Sequence, residues 1–181
     1  HMLAAQEKQD PLPAAAIEDG EQPTGGADRN AVPLYVIARQ EINEHLVLSN
    51  PLRTSALRSL GAYANVFAIE SFMDELAALA GRDPFDFRLG HLEDARARAV
   101  LEAVREQANQ AAPLSAAGRL GRGVGFARYK NLSSYVAVVA DVSVDEQSGV
   151  LRFLRAFAAV DVGQVVNPDG VRNQVEGGIV Q

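Results

Sequence analysis

The sequence predicts an α+β fold in which an antiparallel β-meander packs with several α-helices, one of them long and buried. The first observation is a change of period: apolar residues recur at helical spacing up to about residue 110 and alternate from residue 122 onward. The second is the stretch from Pro51 to Leu76, which runs from an arginine-containing loop into a long, almost wholly apolar helix. Because a helix that is apolar nearly all round is buried nearly all round, the remaining elements are expected to wrap it.

The N-terminal region predicts little regular structure. Residues 1–30 begin with His1-Met2, which resembles a cloning remnant, and continue as a flexible linker rich in Ala, Pro, Gly and acidic residues. Residues 31–181 are then expected to form a single α+β domain. Residues 31–37 and 45–48 have the composition of short strands, the first confined by Pro33 to a sheet edge or a strand start.

The long helix should run from about Leu60 to about Ala80 and stop at Gly81. Its main apolar residues are too widely spaced for one narrow stripe: Leu60, Phe67, Ile69, Met73, Leu76 and Leu79. Phe67 is therefore expected in the core, where truncation to alanine costs about 3–5 kcal/mol. Arg53 and Arg58 precede the positive end of this helix, a placement that favours an anionic ligand nearby.

Two shorter helices follow. Asp83 is the predicted N-cap of the first, with Pro84 in its first position and His91 near its end. Asp94 is the predicted N-cap of the next. The apolar face of that helix consists of Ala97, Val100, Leu101, Val104 and Ala108.

The second half predicts three antiparallel strands, Val124–Lys130, Tyr135–Val144 and Val150–Asp161, the last two joined by the turn sequence DEQSG. Two sets of residues are assigned to the core: Val136, Val138, Val142 and Val144, and Leu151, Phe153 and Phe157.

A last helix should begin at the N-cap Asn167, with Val171, Val175 and Ile179 along one side. The helical pattern is still in progress at Gln181, so we expect an excised piece of a longer chain. The apolar strip should then either fray or be captured by a second copy.

Composition excludes several classes of function. The formal net charge of −6 argues against nucleic acid as a partner, since phosphate binding needs a basic surface. Without cysteine the chain offers no disulfide, thiolate metal ligand or cysteine-held iron–sulfur cluster. No catalytic residue and no metal ligand set is predicted. The glycines of GRLGRGVGF precede a strand rather than a helix, so they do not match a dinucleotide-binding loop.

Three segments resemble the large subunits of molybdenum hydroxylases. They are Leu52 to Ala77 (LRTSALRSLGAYANVFAIESFMDELA), Asp83 to Leu92 (DPFDFRLGHL) and the D-x-G…N-P…Q-x-E-G-G pattern from Asp161 to Gly178. Within the xanthine dehydrogenase and aldehyde oxidase superfamily, the sequence is similar to the isoquinoline 1-oxidoreductase beta subunit type. The resemblance extends over roughly residues 26–181.

This resemblance implies part of a bacterial oxidoreductase that hydroxylates N-heteroaromatics or aldehydes with water as the oxygen source. It implies molybdenum on molybdopterin cytosine dinucleotide in the intact enzyme, with the remainder of the large subunit and an iron–sulfur subunit as partners. The family's catalytic glutamate would lie beyond Gln181. The isolated chain is therefore expected to be inactive and to hold no cofactor. Localisation is not predicted.

The resemblance also assigns roles to single residues. Arg58 matches the family arginine near the molybdenum centre, and Gln174 matches the glutamine that binds the pterin. Leu60 occupies a substrate-facing position that is aromatic in xanthine-type enzymes, so stacking on a flat substrate is not expected there. The alternative for Arg58 is an ion pair with Glu70 or Asp74. Gln174 could instead cap a strand edge.

Two further hypotheses remain open for the whole chain. It could be a cofactor-free interaction domain, or a structural domain that stabilises an oligomer such as a homodimer formed through exposed apolar surface.

Overall fold

The computed structural model describes residues 26–44 and 57–181 and confirms the α+β class. The helices and strands of this part are α1 (Gly61–Leu79), α2 (Pro84–Gly90), α3 (Ala95–Gln110), β1 (Arg119–Arg128), β2 (Tyr135–Val144), β3 (Leu151–Asp161) and α4 (Pro168–Val180). A short 3₁₀ turn, Tyr129–Asn131, joins β1 to β2.

The three strands form an antiparallel meander in the order β1-β2-β3, as predicted. The DEQSG turn closes on Asp145, whose Oδ1 accepts the backbone N–H groups of Gln147 and Ser148 at 3.0 and 2.8 Å. β1 begins at Arg119 rather than Val124, because β2 is long enough to pair with it as far as Val144. The glycine-rich run GRLGRGVGF therefore lies in β1 from Arg119 onward.

The residues that cap the helices also agree with the prediction. Asp83, Asp94 and Asn167 each accept backbone N–H groups in the first turn of their helices. Gly81 ends α1 with φ +61°, and His91 Nδ1 lies 2.8 Å from the carbonyl oxygen of Phe87. These signals depend on neighbouring residues alone, which is why the sequence reveals them.

The core lies between α3 and one face of the sheet. The predicted apolar face of α3 is buried at every position. On β2, however, the inward residues are Tyr135, Ala137, Val139, Asp141 and Ser143. The valines at 136, 138, 142 and 144 lie on the opposite, half-buried face, so their assignment to the core is wrong. Leu151 and Phe153 of β3 are exposed, so their assignment to the core is also wrong, whereas Phe157 packs against the core. The β-bulge in the pairing at Asp141 and Val142 places residues 151 and 153 on the face opposite that of Phe157. Alternation identifies two faces but does not say which one a helix covers.

A three-residue ion cluster crosses the sheet on its α3 side. Asp141 Oδ1 accepts from Arg122 Nε of β1 at 2.6 Å, and Oδ2 accepts from Arg155 Nε of β3 at 2.7 Å. The Arg122 hydrogen bond, opposed by burial and reinforced by Arg155, lowers the pKa of Asp141 to about 2. The two arginines also donate to the carbonyl oxygens of Ala108, in the last turn of α3, and of Ala112, just beyond its end. The cluster thus fixes α3 against all three strands.

The long helix α1 is buried on one side only, which corrects the prediction that it is buried nearly all round. Ala62, Glu70, Met73 and Ala77 are its buried residues, whereas Phe67 is 73% exposed. Leu79, Tyr63 and Phe72 are also exposed. Among the described residues, α2, β1 and the segment around Tyr35 pack on its inner side, and no described element covers the other.

The predicted strand at residues 31–37 does not form. Pro33 cannot donate a backbone hydrogen bond, and this segment is held instead by single contacts. Val36 N–H donates to His91 O at 2.7 Å, and the buried Tyr35 ring packs edge-on against Phe126. The second predicted strand, at 45–48, lies outside the described residues, as does Arg53.

Arg88 lies at the centre of the contact between α1, α2 and the sheet. Its side chain is fully buried, and Nε donates to Glu70 Oε2 at 2.9 Å while Nη1 donates to Asp74 Oδ1 at 2.6 Å. Tyr35 OH donates to the other oxygen of Glu70 at 2.8 Å. Burial raises the pKa of the Glu70 carboxyl, while Arg88 and the Tyr35 and Phe126 hydrogen bonds oppose that rise.

The same ion pair ends the sheet at the middle of β1. Arg88 Nη2 donates to the carbonyl oxygen of Val124 at 3.1 Å, and Glu70 Oε2 accepts the backbone N–H of Phe126 at 2.9 Å. A fourth strand would otherwise satisfy these two backbone groups. Arg88 and Glu70 therefore take the place of a strand.

Within the described residues no helix is long and apolar enough to cross a bilayer.

We predict that truncating a buried residue of α3 will destabilise the protein much more than truncating a residue on the outer side of α1. Leu101 is fully buried, so Leu101→Ala should lower the free energy of unfolding by about 2–5 kcal/mol. Phe67→Ala should cost less than about 1 kcal/mol, because that ring is already in solvent. Urea denaturation of the two variants measures both values, and equal losses would contradict the observed burial.

We predict a large effect for Arg88→Met, which keeps most of the side-chain volume but removes the charge. Breaking a buried pair leaves Glu70 uncompensated and should cost about 3–5 kcal/mol of unfolding free energy. The matched control is Arg105→Met, since Arg105 pairs at the surface with Asp83 and Asp86. That control should lose less than about 1 kcal/mol. A small loss at Arg88 would show that the pair does not stabilise the sheet edge.

Candidate functional site

A large open cleft of about 930 Å³ lies between α1, the outer face of the sheet and α4. Its walls are mainly apolar. They include Val136, Val138 and Val160 of the sheet and Val171, Val175 and Ile179 of α4. Two of the valines wrongly assigned to the core, Val136 and Val138, thus belong to the floor of a cleft.

Arg58 and Gln174 meet at the rim of this cleft, although they are 116 residues apart in the sequence. Arg58 Nη2 donates to Gln174 Oε1 at 2.8 Å and more weakly to Gln174 O at 3.4 Å. Arg58 Nη1 also lies 3.4 Å from Gln181 Oε1. The structure therefore brings together the two residues predicted to bind a cofactor, while their role stays a prediction.

The simpler alternatives for these two residues are not what the structure shows. Glu70 and Asp74 both bind Arg88, so neither is the partner of Arg58. Gln174 lies within α4 rather than at a strand edge. Both side chains are exposed and line the cleft.

Leu60 lies beside the cleft and is not among the residues that line it. Its side chain packs on Gly26, where an added methyl group would lie 2.9 Å from Leu60 Cδ1. Its backbone has φ +52° and ψ −133°, a conformation that a branched residue rarely adopts. Its predicted substrate-facing role stays a prediction.

The first amide of α1 is already occupied. Gly61 N–H donates to the carbonyl oxygen of Gly26 at 2.9 Å, so it is not available to an anion. Arg58 carries a positive charge at the rim of the cleft, and its guanidinium offers N–H donors in a planar arrangement. An anion near this helix would be bound by a side chain rather than by the helix end.

The polar residues that line the cleft include Asn30, Tyr129 and Ser134, none of which the sequence interpretation assigned to a site. Asn30 is buried and joins the N-terminal segment to the β1–β2 turn, since its Oδ1 accepts Lys130 N–H at 2.8 Å. Tyr129 OH accepts from Arg29 Nη1 at 2.8 Å. These contacts span about a hundred residues, so no local pattern could have indicated them.

The described lining of the cleft offers mainly apolar contacts and hydrogen-bond donors. No Asp, Glu or His occurs among the described residues that line it, and no described group of three such residues could hold a metal ion. Gln174 Oε1 is engaged by Arg58, which leaves the Nε2 amide group to donate elsewhere. The rim therefore offers N–H donors to a ligand rich in oxygen and nitrogen acceptors.

A family model described as the molybdopterin cofactor-binding domain matches residues 53–181. That match includes Arg58, Gln174 and every helix and strand of the described structure.

Three curated proteins are similar to parts of the chain. A nicotinate dehydrogenase subunit of Pseudomonas putida is 38% identical over 169 residues, which is 85% of this chain and 14% of that protein. The beta subunit of isoquinoline 1-oxidoreductase from Brevundimonas diminuta is 37% identical over 127 residues, 69% of this chain and 16% of that protein. The membrane-bound aldehyde dehydrogenase [pyrroloquinoline-quinone] of Gluconacetobacter polyoxogenes is 29% identical over 141 residues, again 69% of this chain and 18% of that protein. The chain thus spans less than a fifth of the length of each of these relatives.

We predict that α4 is the least protected helix of the described fold. It has no buried residue, and Arg58 is its hydrogen-bonded contact with the N-terminus of α1. Amide hydrogen exchange at Ile179 and Val180 should therefore be much faster than at Val139 of β2. Arg58→Ala should accelerate it further.

Sedimentation of the same samples shows whether a dimer forms. If a second copy of the chain covers α4, exchange should slow only at concentrations where the dimer is present. Slow exchange at Ile179 in a proven monomer would contradict the prediction.

Proposed function

The chain belongs to the molybdopterin cofactor-binding domain family, and from that premise we propose that it forms one wall of the molybdenum cofactor site in the large subunit of a bacterial hydroxylase. The observation that best supports this role is the Arg58–Gln174 hydrogen bond of 2.8 Å at the rim of the cleft. Both residues lie within the range that the family model matches, and their contact supports the proposal.

The donor set at the rim fits the proposed cofactor. Arg58 offers planar N–H donors and a fixed charge, which suit phosphate or other anionic oxygens. Gln174 still has an amide N–H₂ group to donate, which suits the acceptors of a pterin ring. Gly178, which also lines the cleft, has open space at its Cβ position, so a ligand can approach the helix backbone there.

We propose that the cofactor is the cytosine dinucleotide form of molybdopterin. When bound, this cofactor would supply two-electron redox chemistry, with water as the source of the oxygen. The residues of this chain would bind and orient the cofactor, and the apolar floor would exclude water from one side of it. The carboxylate that removes a proton would come from another part of the large subunit, since none lines the cleft among the described residues.

N-heteroaromatic compounds are the proposed substrates, and aldehydes the second choice. Two relatives at 37–38% identity have names that refer to nicotinate and isoquinoline, and the one at 29% identity is named for an aldehyde. We propose the remainder of the large subunit and an iron–sulfur subunit as partners. Because so little of each relative's length is represented, we expect the isolated chain to hold no stoichiometric molybdenum and to oxidise no substrate.

A cofactor-free interaction domain is the alternative. The exposed side of α1 favours it, because Phe67, Phe72 and Leu79 would be costly to leave in water. The two proposed functions differ in the effect expected when the rim residues Arg58 and Gln174 are substituted.

We predict that Arg58→Ala and Gln174→Ala, made in the complete large subunit, will each lower its molybdenum content. Leaving buried cofactor atoms without a partner costs about 1–3 kcal/mol for a neutral group and more for a charged one, so a loss of about fivefold or more in affinity is expected. Arg58→Lys should recover only part of it, because lysine keeps the charge but not the planar fork.

The control is Arg152→Ala, an exposed arginine on β3 outside the cleft. Elemental analysis and dye-reduction assays measure content and turnover. Full molybdenum content and unchanged turnover in both rim variants would show that these residues only brace the fold, and would favour the interaction domain.

A further inference from the structure

The segment from Gly26 to Asn30 is packed directly on the N-terminus of α1, although the sequence assigns it to a flexible linker. Gly61 N–H donates to Gly26 O at 2.9 Å. Asn65, one turn further along α1, donates from Nδ2 to two carbonyl oxygens of the segment, Ala27 O at 2.8 Å and Arg29 O at 2.9 Å. Three hydrogen bonds thus join the segment to the start of the helix.

The approach of the segment to the helix requires glycine at position 61. A Cβ atom there would lie 2.1 Å from Ala27 O and 2.6 Å from Gly26 O. Both are backbone atoms and cannot move aside as a side-chain end could. A glycine is therefore needed for close contact between two backbones.

The two residues between Arg58 and Gly61 have strained backbones. Ser59 has φ +71° and Leu60 has φ +52°, both in a region that residues with a Cβ atom rarely adopt. Such conformations persist only where the surroundings impose them. Here the surroundings are the Gly26–Asn30 segment, onto which Leu60 packs and to which Gly61 is hydrogen-bonded.

The segment is itself fixed at its other end. Asn30 Nδ2 donates to Arg128 O at 2.8 Å and to Asn131 Oδ1 at 3.2 Å, and Asn131 Nδ2 donates to Val32 O at 2.7 Å. The segment therefore links the β1–β2 turn to the start of α1, and both of these border the cleft.

We infer that Gly61 and Asn65 are positioning residues for Arg58: with the Gly26–Asn30 segment they impose the strained turn that directs Arg58 onto Gln174. This inference rests on the proposed function for its consequence, which is that the two residues determine cofactor binding without touching the cofactor. The turn itself lies entirely within this chain, so its geometry can be tested without the cofactor.

The first experiment tests the turn in the 181-residue chain, without cofactor. The side-chain amide NMR signals of Gln174 report the hydrogen bond from Arg58, and Arg58→Ala defines their position without it. Gly61→Ala and Asn65→Ala should shift the signals toward that position. The controls are Gly90→Ala, where the new methyl group meets only the flexible end of Arg82 at 3.3 Å, and Asn109→Ala on the exposed side of α3.

The second experiment measures the molybdenum content of the complete large subunit. Changing a residue that orients a binding group commonly costs about 10–100-fold in affinity, so both variants should lose molybdenum on that scale. In the Arg58→Ala background the same substitutions should add almost nothing, because they act through an arginine that is already absent. A general loss of folding would lower the content further in that background.

The outcomes separate the two proposals. Unshifted Gln174 signals in Asn65→Ala and Gly61→Ala, or losses that add to that of Arg58→Ala, would overturn the inference. Shifted signals with full molybdenum content would support the positioning role and overturn the proposed role of Arg58 at the cofactor. Since Asn65→Ala removes only two hydrogen bonds, it remains informative if Gly61→Ala does not fold.

Discussion

The fold depends on a buried ion pair that occupies the place of a β-strand. β1 is an edge strand with backbone groups that need partners, and Arg88 and Glu70 supply them at Val124 and Phe126. Burying two charges is costly unless every donor and acceptor is used. Here Asp74, Tyr35 and the carbonyl oxygens of Pro84 and Glu70 complete the network. The pair thereby fixes α1 and α2 against the sheet.

The position of the cleft follows from that arrangement. Because Glu70 anchors the middle of α1 to β1, the start of the helix lies beside the β1–β2 turn, about two and a half turns away along the axis. The Gly26–Asn30 segment fills the gap between them and turns Arg58 toward α4. The buried Arg88–Glu70 ion pair thus determines, through the position of α1, where the exposed Arg58 lies.

Local features of this fold could be predicted from the sequence, whereas burial could not. The caps at Asp83, Asp94 and Asn167 and the apolar face of α3 depend on near neighbours and were found. Arg88 was not, because an arginine in a short helix looks like a surface residue until its partners at Glu70 and Val124 are known. The exposed side of α1 and the valine face of β2 have core composition. On α1 these residues are exposed and on β2 they are half-buried, so composition alone predicted the wrong environment. The Arg58–Gln174 pair came from a family resemblance, since no rule of spacing connects residues 116 positions apart.

The two sides of the rim differ in how firmly they are held, and this has a consequence for binding. On the α1 side the backbone is fixed by hydrogen bonds to Gly26, Ala27 and Arg29. On the other side, α4 has no buried residue and reaches the Arg58 guanidinium through single hydrogen bonds. A ligand bound to both Arg58 and Gln174 would stabilise α4 by mass action, by about 2.7 kcal/mol at a free concentration of about 100 times its Kd. Part of the intrinsic binding energy is then used to order a helix, which lowers the measured affinity. The firm side of the rim therefore supplies the preorganised donor, and the α4 side makes the stability of the domain depend on whether its ligand is bound.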